Sequence, residues 1–317
     1  MHQLWFSPLL AAALVGTASD KREAQPIAPE PSDVQSETLA LDRDAHSRLT
    51  VPVSIAGAGP YDFMIDTGAQ ATVVTREISE QLQFPPLGTA RLIGMASTRP
   101  VELVEIDELQ MGSRKIYNLA APVLEREHVG ADGIIGLDSL QDLRVIIDFR
   151  KDMIEVVDTS TLKNSNRGYE IIVSGRRHDK QLIISDAVLD GVRTTVVIDT
   201  GAQASLGNMA LKEKLRMRQR QDVITQDVHG VSAEGEASLV KRLVLQRIAL
   251  TNVPVTFIDT PAFEAMGLDD KPVLWLGMQH LRMFRRVAID FSSNEVLFDL
   301  PRGLETDWRS RRYNTGL

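Results

Sequence analysis

The heptapeptide Ile65–Ala71 reads IDTGAQA, and the same seven letters occur again at Ile198–Ala204. Seven identical residues in one order do not arise from composition, and such self-similarity is the signature of an internal repeat. Both copies follow an apolar segment, FMI before Asp66 and VVI before Asp199. The sequence therefore predicts a tandem duplication, with one copy of this motif in each half.

The sequence around each heptapeptide repeats as well. Two alternating segments rich in Val, Ile and Thr precede each copy, which is typical of a β-hairpin. A short amphipathic helix, an apolar segment with glycine, and a β segment ending in Asp-Phe follow. The chain therefore reads as two copies of a mostly β unit. The hairpin segments are Leu49–Ile55 and Tyr61–Ile65 in the first copy and Leu182–Leu189 and Val192–Ile198 in the second. The helices are Thr75–Gln83 and Asn208–Met217, and the glycine segments are Gly133–Leu137 and Val273–Gly277. The β segments that end in Asp-Phe are Val145–Phe149 and Val287–Phe291.

Composition divides the rest of the chain. The apolar run Leu4–Ala18 has the length of a signal-peptide hydrophobic region, although Met1–Gln3 lacks the usual positive charge, which leaves a disordered start as the alternative. The Pro-, Glu- and Ser-rich stretch that follows is typical of a flexible tether. We expect an exported protein, periplasmic or secreted, without a stable membrane span after cleavage. The predicted domains are a signal peptide at 1–18, a tether at 19–40, an N-terminal lobe at 41–157, a linker at 158–168, a C-terminal lobe at 169–305 and a tail at 306–317.

Bulk composition argues against several classes of function. The formal charge is −8 and no run of Lys and Arg dominates, which argues against a nucleic-acid partner. The absence of cysteine excludes disulfides, thiolate metal sites and a cysteine nucleophile. The six histidines are scattered and form no H-E-x-x-H zinc pattern. The sequence therefore predicts neither a metal nor a cofactor.

The Asp-Thr-Gly motif gains chemical meaning because it occurs twice. A single copy is more often a turn than a site. Two copies can bring Asp66 and Asp199 together at a pseudo-two-fold interface, where adjacent like charges favour the sharing of one proton. The ionised carboxylate can then take a proton from water, while the protonated one donates to a carbonyl oxygen. The sequence predicts these two aspartates as one catalytic pair.

The doubled DTGA motif, each copy after an apolar strand and before an apolar-apolar-glycine segment, resembles the aspartic peptidases over about 49–300. The likeness is to a retropepsin-like lobe duplicated in one chain. The pepsin branch ranks second, because the lobes are short, disulfides are absent and the motif is not DTGS or DTGT. The resemblance implies a mainly β fold of two pseudo-symmetric aspartic-protease β-barrel lobes, with short helices and an interlobe cleft. It implies that the glycine segments pack beneath the motif loops, and that the site is supported by Thr67, Gly68, Thr200 and Gly201, with the threonines as an interlobe hydroxyl lock.

A flap is expected to cover the cleft from one lobe or from both. The segments Arg91–Arg99 and Asp227–Gly235 occupy equivalent places in the two halves, and ordinary hairpin turns are the alternative interpretation. His229, within the second segment, is interpreted as an exposed turn residue. The substrate-binding candidates at the two tips are Gly94, Met95, Gly230 and Val231.

Some positions depart from the family pattern or have a plainer interpretation. Retroviral enzymes often have an acidic residue where this chain has Gln70 and Gln203, so the substrate-backbone contacts of those enzymes do not carry over to these two positions from the resemblance alone. Asp148 and Asp290 recur at equivalent positions, and we interpret them as turn caps that bond the backbone. Trp275 is interpreted as a core residue.

These features favour an aspartic endopeptidase that hydrolyses peptide bonds with a water molecule activated between Asp66 and Asp199. Its partner would be a peptide or protein substrate, and the protein would be a monomer with internal pseudo-two-fold symmetry. The alternative is a catalytically silent two-lobed protein of the same fold that binds an extended peptide by strand addition. A structural protein of the cell envelope is a third possibility. The presence of both aspartates favours the enzyme.

Overall fold

A computed structural model describes residues 2–7, 10–11, 37–40, 42–43, 49–159, 166, 168–178, 181–215, 217 and 221–301. The predicted tail lies outside these residues, and so do most of the predicted signal peptide, tether and linker. Within the described ranges, no helix has the length and apolar character needed to cross a bilayer.

Where the structure describes it, the first half of the chain consists of strands joined by tight turns and three short helices. Its elements are β1 (His2–Ser7), β2 (Leu10–Ala11), β3 (Glu37–Ala40), β4 (Asp42–Arg43), β5 (Leu49–Ile55), β6 (Ala58–Ile65), β7 (Val73–Thr75), α1 (Arg76–Leu82), β8 (Pro86–Ile93), β9 (Thr98–Met111), β10 (Arg114–Leu124), α2 (Arg126–Val129), β11 (Gly133–Ile135), α3 (Leu137–Leu140), β12 (Leu143–Asp148) and β13 (Met153–Asp158).

The second half repeats this pattern of long strands and short helices. Its elements are β14 (Ile171–Ser174), β15 (Arg176–His178), β16 (Gln181–Leu189), β17 (Val192–Ile198), β18 (Leu206–Gly207), α4 (Met209–Lys214), β19 (Gln221–Gln226), β20 (Ser232–Leu245), β21 (Ile248–Phe257), α5 (Pro261–Ala265), β22 (Val273–Leu276), α6 (Met278–Leu281), β23 (Arg286–Asp290) and β24 (Glu295–Asp299).

In each half, six strands close into a barrel. The N-terminal barrel has the order β9-β10-β7-β11-β6-β5, and β5 returns to pair with β9. The C-terminal barrel has the order β20-β21-β18-β22-β17-β16, and β16 pairs with β20. Aromatic residues make up only 5% of the chain, so Val, Ile and Leu fill most of the core. The predicted fold class, a mainly β duplicated fold of two lobes, is confirmed.

The helix predicted after each motif is present in both halves, and each is shorter than predicted. In the N-terminal lobe, α1 follows Thr75 and buries Ile78 against the barrel. In the C-terminal lobe, α4 follows Asn208, whose side chain accepts the N–H of Leu211 and caps the first turn. Each helix follows the short strand after its motif loop and packs against strands of its own barrel, α1 on β7 and β10 and α4 on β17 and β22.

A third sheet of six strands joins the two lobes, in the order β14-β24-β23-β12-β13-β3. Its centre is the antiparallel pair of β12 from the N-terminal lobe and β23 from the C-terminal lobe. Arg144 lies opposite Asp290, and Asp148 lies opposite Arg286. Because each strand carries an arginine at one end and an aspartate at the other, the pair is charge-complementary about a pseudo-two-fold axis.

Two segments ahead of the N-terminal barrel also form strands. β3, the end of the predicted tether, pairs antiparallel with β13 at the edge of the interlobe sheet. β1, within the predicted signal peptide, pairs in parallel with residues 90–93 of β8. Residues of the predicted signal peptide and of the predicted tether therefore pair through their backbones with strands of the N-terminal lobe.

Asp148 and Asp290 each cap the turn after their strand, which confirms the interpretation from sequence. Oδ1 of each accepts backbone N–H groups two and three residues further on. Asp290 also accepts the guanidinium of Arg144, with Nε to Oδ2 at 2.9 Å and both side chains almost fully buried. Burial opposes ionisation of Asp290, but the turn N–H groups and Arg144 outweigh it and lower its pKa. At the symmetry-related end Arg286 bonds Asp299 instead, so the two ends of the interlobe pair differ.

Candidate active site

Each copy of the heptapeptide starts where a buried strand ends. β6 and β17 finish one residue before Asp66 and Asp199, and β11 and β22 lie beside them in parallel. The backbone N–H of each aspartate donates to this neighbouring strand, to the carbonyl of Ile135 from Asp66 and to that of Leu276 from Asp199. The two glycine-containing segments therefore lie beneath the motif loops, as the resemblance implied.

The two carboxylates are held in the same way. Oδ1 of Asp66 accepts the N–H groups of the residues two and three positions further on, at 2.7 and 3.1 Å. Oδ1 of Asp199 accepts the equivalent pair, each at 2.9 Å. Both side chains are fully buried. Two backbone donors on one oxygen fix the orientation of each carboxylate within its loop.

The two motif loops are tied together by their threonines, in the arrangement that the resemblance implied. The hydroxyl of Thr67 donates to the carbonyl of Ile198, and the hydroxyl of Thr200 donates to that of Ile65, both at 2.8 Å. Each hydroxyl oxygen also accepts the backbone N–H of the other threonine, at 3.0 and 3.1 Å. These four buried bonds are reciprocal, so they hold the segments that carry Asp66 and Asp199 side by side.

Close contact at the glycines brings the two loops together. A Cβ atom added to Gly201 would lie 2.3 Å from Cγ of Asp66, so only glycine fits there. The C-terminal loop therefore passes directly against the N-terminal carboxylate. Gly68 accepts a second interlobe contact on its carbonyl, from Nε2 of the fully buried Gln181 at 2.9 Å. Each of the four predicted supporting residues thus has a defined contact in this region.

The support behind the N-terminal loop is built on a carboxylate. The hydroxyl of Thr72 accepts the N–H of Gly136 and donates to Asp138 at 2.7 Å. The backbone N–H of Thr72 also donates to the Asp138 carboxylate at 2.9 Å. Ser139 lies 2.6 Å from the same hydroxyl. The loop after Asp66 is therefore anchored through an acidic side chain.

The support behind the C-terminal loop uses an imidazole instead. The hydroxyl of Ser205, the counterpart of Thr72, accepts the N–H of Gly277 at 2.9 Å. It also lies 2.6 Å from Nδ1 of His280, which is 1% exposed. Burial lowers the pKa of His280, so the neutral ring is favoured. The loop after Asp199 is therefore supported by a neutral group.

The four flap candidates lie at the tips of two long hairpins. β8 and β9 form one hairpin, which we call the N-terminal flap, and β19 and β20 form the C-terminal flap. In the N-terminal flap, a Cβ atom on Gly94 would lie 2.8 Å from Oδ2 of Asp227 in the other tip. Met95 is buried in an apolar cluster that includes Ala69 of the Asp66 loop. The N-terminal flap therefore contacts the other flap and shares an apolar cluster with the Asp66 loop.

The tip of the C-terminal flap reaches across to the N-terminal lobe. Gly230 has a φ angle of +72°, and a Cβ atom there would lie 2.5 Å from the ring of His128 on α2. Val231 donates its N–H to Asp227 at 3.0 Å and so closes the turn. Each flap tip therefore contacts the opposite half of the molecule.

His229 is not the exposed turn residue predicted from sequence. It lies in the turn, but it is only partly exposed, because the tip of the N-terminal flap packs against it. Burial lowers the pKa of His229 and outweighs the opposing effects of Asp227 and of a hydrogen bond to the backbone of Leu92. The prediction failed because nothing local to the turn reveals that a distant hairpin covers it.

Three functional contacts were not foreseen from sequence. Asp227 begins a predicted flap, but two of its partners, Ala96 and Ser97, lie about 130 residues away in the other flap. Gln181 reaches Gly68 across the lobes, and its own sequence context carries no motif. The Arg144–Asp290 pair had a weak signal, since both strands carry Arg before the apolar run and Asp after it.

The halves of the chain also match a known family twice. A family model described as aspartyl protease matches residues 51–139 and again residues 185–279. Together these ranges cover more than half of the 317 residues, and each contains one motif loop with its glycine segment. A comparison with curated proteins gave no match.

Proposed function

This chain belongs to the aspartyl protease family, and we propose that it is an aspartic endopeptidase with one site built from Asp66 and Asp199. The supporting observation is the reciprocal lock of Thr67 and Thr200, which holds the two Asp loops against each other. A catalytic pair needs both carboxylates at one place with fixed orientation, and the lock supports the proposal because it ties the two Asp loops together. The substrate class that follows is a peptide or protein in extended conformation.

The proposed mechanism assigns the two carboxylates opposite roles in one protonation state. With one proton shared between them, the ionised carboxylate takes a proton from a water molecule that attacks the peptide carbonyl. The protonated carboxylate donates to the carbonyl oxygen as the tetrahedral intermediate forms. Which of Asp66 and Asp199 holds the proton is a property of the pair, because strongly coupled groups titrate together.

The closed flaps define how the substrate must reach this pair. Asp66 and Asp199 are fully buried, and Met95 of the N-terminal flap shares an apolar cluster with Ala69 beside the site. Substrate entry therefore requires the flaps to open and to close again. Closure excludes water, which strengthens the electrostatic interactions at the reacting carbonyl.

The test is peptide hydrolysis by the single variants Asp66→Asn and Asp199→Asn. Each substitution keeps the size of the side chain and removes the titrating group, so we expect each to lower kcat by about 10³-fold or more. The matched control is Asp148→Asn, which makes the same change at a turn cap of the interlobe sheet. Far-UV circular dichroism and thermal unfolding would show that all three variants are folded.

The outcomes separate the enzyme from a silent binder of the same fold. Substantial turnover by either folded Asn variant would refute the shared site. A wild-type protein that binds extended peptides and never cleaves them would instead support the binding protein. We further propose export of the protein, on the basis of the apolar run at 4–18, and N-terminal sequencing of the protein from its host tests that proposal.

A further inference from the structure

One carboxylate, that of Asp227, lies where the tips of the two flaps meet. It is 2% exposed. Oδ1 accepts the backbone N–H groups of His229 at 2.9 Å and Val231 at 3.0 Å, which closes the turn of its own flap. Oδ2 accepts the hydroxyl of Ser97 at 2.7 Å and the N–H of Ala96 at 3.2 Å, both from the other flap. The two oxygens therefore serve the two flaps separately.

We propose that Asp227 is a positioning residue that latches the N-terminal flap to the C-terminal flap, so that both flaps close over a substrate as one unit. The proposal deepens the proposed peptidase function and rests on it for its role in turnover. The latch itself is a contact between two hairpins and can be tested without any catalysis.

The chemistry of the four partners explains why a carboxylate stands at this position. Three of them are backbone N–H groups and the fourth is a hydroxyl that donates. An ionised carboxylate offers only acceptors, whereas an asparagine side chain must point an NH₂ group at one side. Hydrogen bonds to a charged acceptor are stronger than hydrogen bonds to a neutral one. A buried carboxylate with four donors is therefore a strong contact.

The shape of the N-terminal tip is adapted to the same carboxylate. Gly94 has no side chain where a Cβ atom would lie 2.8 Å from Oδ2 of Asp227. The N–H of Gly94 donates to the carbonyl of Ser97 at 2.8 Å, which closes a tight turn and presents the next residues to the latch. The ring of His229 packs against the same tip, since a Cβ atom on Gly94 would lie 3.4 Å from its Cδ2 atom. The contact therefore involves both tips over several residues.

The latch also bears on the site beneath it. Met95 and Val228, each beside a latch residue in sequence, are buried in the apolar cluster that contains Ala69 of the Asp66 loop. When Asp227 holds the tips together, both of these side chains are held in that cluster. Loss of the latch should therefore make the two flap tips more mobile. The hydrogen bonds between Thr67 and Thr200 should stay intact.

The chain has no cysteine, so two introduced thiols can be spin-labelled without background. We would place them on exposed positions of the two flaps, with Thr89→Cys in the N-terminal flap and Ile224→Cys in the C-terminal flap. Electron–electron distances would be measured with Asp227 intact, with Asp227→Asn, and with Asp222→Asn. The last variant makes the same change of charge at an exposed position of the same hairpin.

With Asp227 intact we expect one narrow distance distribution. Asp227→Asn keeps an acceptor for its own turn but turns an NH₂ group toward the N–H of Ala96, so its distribution should broaden at least about twofold. Asp222→Asn should match the parent protein. Ser97→Ala, which removes one donor and leaves the Asp227 turn untouched, should broaden the distribution by a smaller amount. If Asp227→Asn unfolds, Ser97→Ala carries the test.

Peptide hydrolysis supplies the second readout. Asp227→Asn should lower kcat/KM about tenfold, mainly through a higher KM, because the loss of one charge-assisted bond is worth about that factor. An unchanged distance distribution in Asp227→Asn and Ser97→Ala would overturn the latch, whatever happens to activity. A broadened distribution in a protein that cleaves no peptide would support the latch and refute the peptidase, so the two proposals fail separately.

Discussion

The loop that carries Asp66 and the loop that carries Asp199 have identical sequences and nearly identical internal bonds, yet the residues behind them differ. In front, each threonine hydroxyl donates to the other lobe at 2.8 Å, and each carboxylate accepts two N–H groups. Behind, one loop is supported by Asp138 and the other by His280. Symmetry is therefore kept at the lock and lost one layer away from it.

The difference follows from what each contact must satisfy. A bond of the lock has its partner in the other lobe, so a change in one half leaves an unsatisfied buried group in the opposite half. A support such as Thr72 with Asp138 is satisfied within its own lobe. Each lobe can therefore solve that local problem with different chemistry, provided that the loop keeps its position.

The strongest way to break the comparison is to remove one lobe. Residues 41–157 alone carry Asp66 without Asp199, so we expect no peptide hydrolysis from the monomer. The exposed β12 edge is self-complementary, because Arg144 of one copy can pair with Asp148 of another, as Arg144 pairs with Asp290 across the intact interface. Any activity should therefore rise steeply with concentration as dimers rebuild the pair.

Specific activity measured against protein concentration, together with sedimentation, checks this prediction. The intact chain is the control and should show constant specific activity. Constant specific activity from the single lobe, at concentrations where sedimentation shows monomers, would contradict a site shared between lobes.

The two ends of the β12–β23 pair can be compared by how much each contributes to the free energy of unfolding. Arg144→Met should lower the free energy of unfolding by about 3–5 kcal/mol, because it leaves the Asp290 carboxylate buried without its cation. Arg286→Met, the same change at the symmetry-related position, should cost about 1 kcal/mol or less, since that side chain is partly exposed to solvent.

Urea unfolding of both variants at pH 7 gives the two values. Equal losses would mean that the two ends of the β12–β23 pair are equivalent in solution. A small loss for Arg144→Met would mean that the buried pair contributes no more than a surface pair does.

The smallest effect that we expect concerns the support built on His280. Unlike the support built on Asp138, it should make the free energy of unfolding depend on pH through an imidazole. Burial lowers the pKa of His280 in the folded state, so the unfolded chain binds a proton there more readily. The neutral ring of His280 therefore makes its full contribution to the free energy of unfolding above about pH 6.5, the pKa of histidine in the unfolded chain. This contribution is lost as the pH falls below that value. His280→Gln should cost about 1 kcal/mol at pH 8 through a weaker bond to Ser205, and it should flatten the decline between pH 6.5 and 5.

Unfolding free energies measured at several pH values check this prediction. Ser139→Ala changes the equivalent position of the N-terminal lobe, which carries no titrating group there, and should leave the slope unchanged. A slope that survives in His280→Gln would assign the acid sensitivity to another residue.

Much of the fold could be predicted because the chain carries it twice. The repeat of IDTGAQA located Asp66 and Asp199, and the alternation of apolar residues before each copy predicted the strands that deliver them. The helix at Thr75–Gln83 was predicted because Ile78 and Leu82 lie four residues apart, and Ile78 is indeed buried. These signals are local, so one sequence is enough to read them.

The contacts between distant segments could not be predicted. Asp227 reads as a turn residue, since Asp is common in turns, and nothing near it indicates that Ser97 of another hairpin will donate to it. Gln181 stands in an ordinary strand, and its bond to Gly68 exists only after the two barrels are assembled. Such contacts depend on how barrels and flaps are placed in space, which no short segment specifies.

The threonine lock has a consequence for the history of the gene. Once two copies of a half are fused, each copy can change wherever its contacts are internal, as the different supports built on Asp138 and His280 illustrate. Thr67 and Thr200 form a single heritable unit, because a change in either one leaves buried hydrogen-bonding groups without partners in both halves. Selection then acts on two distant codons as though they were one, which favours keeping threonine at both places.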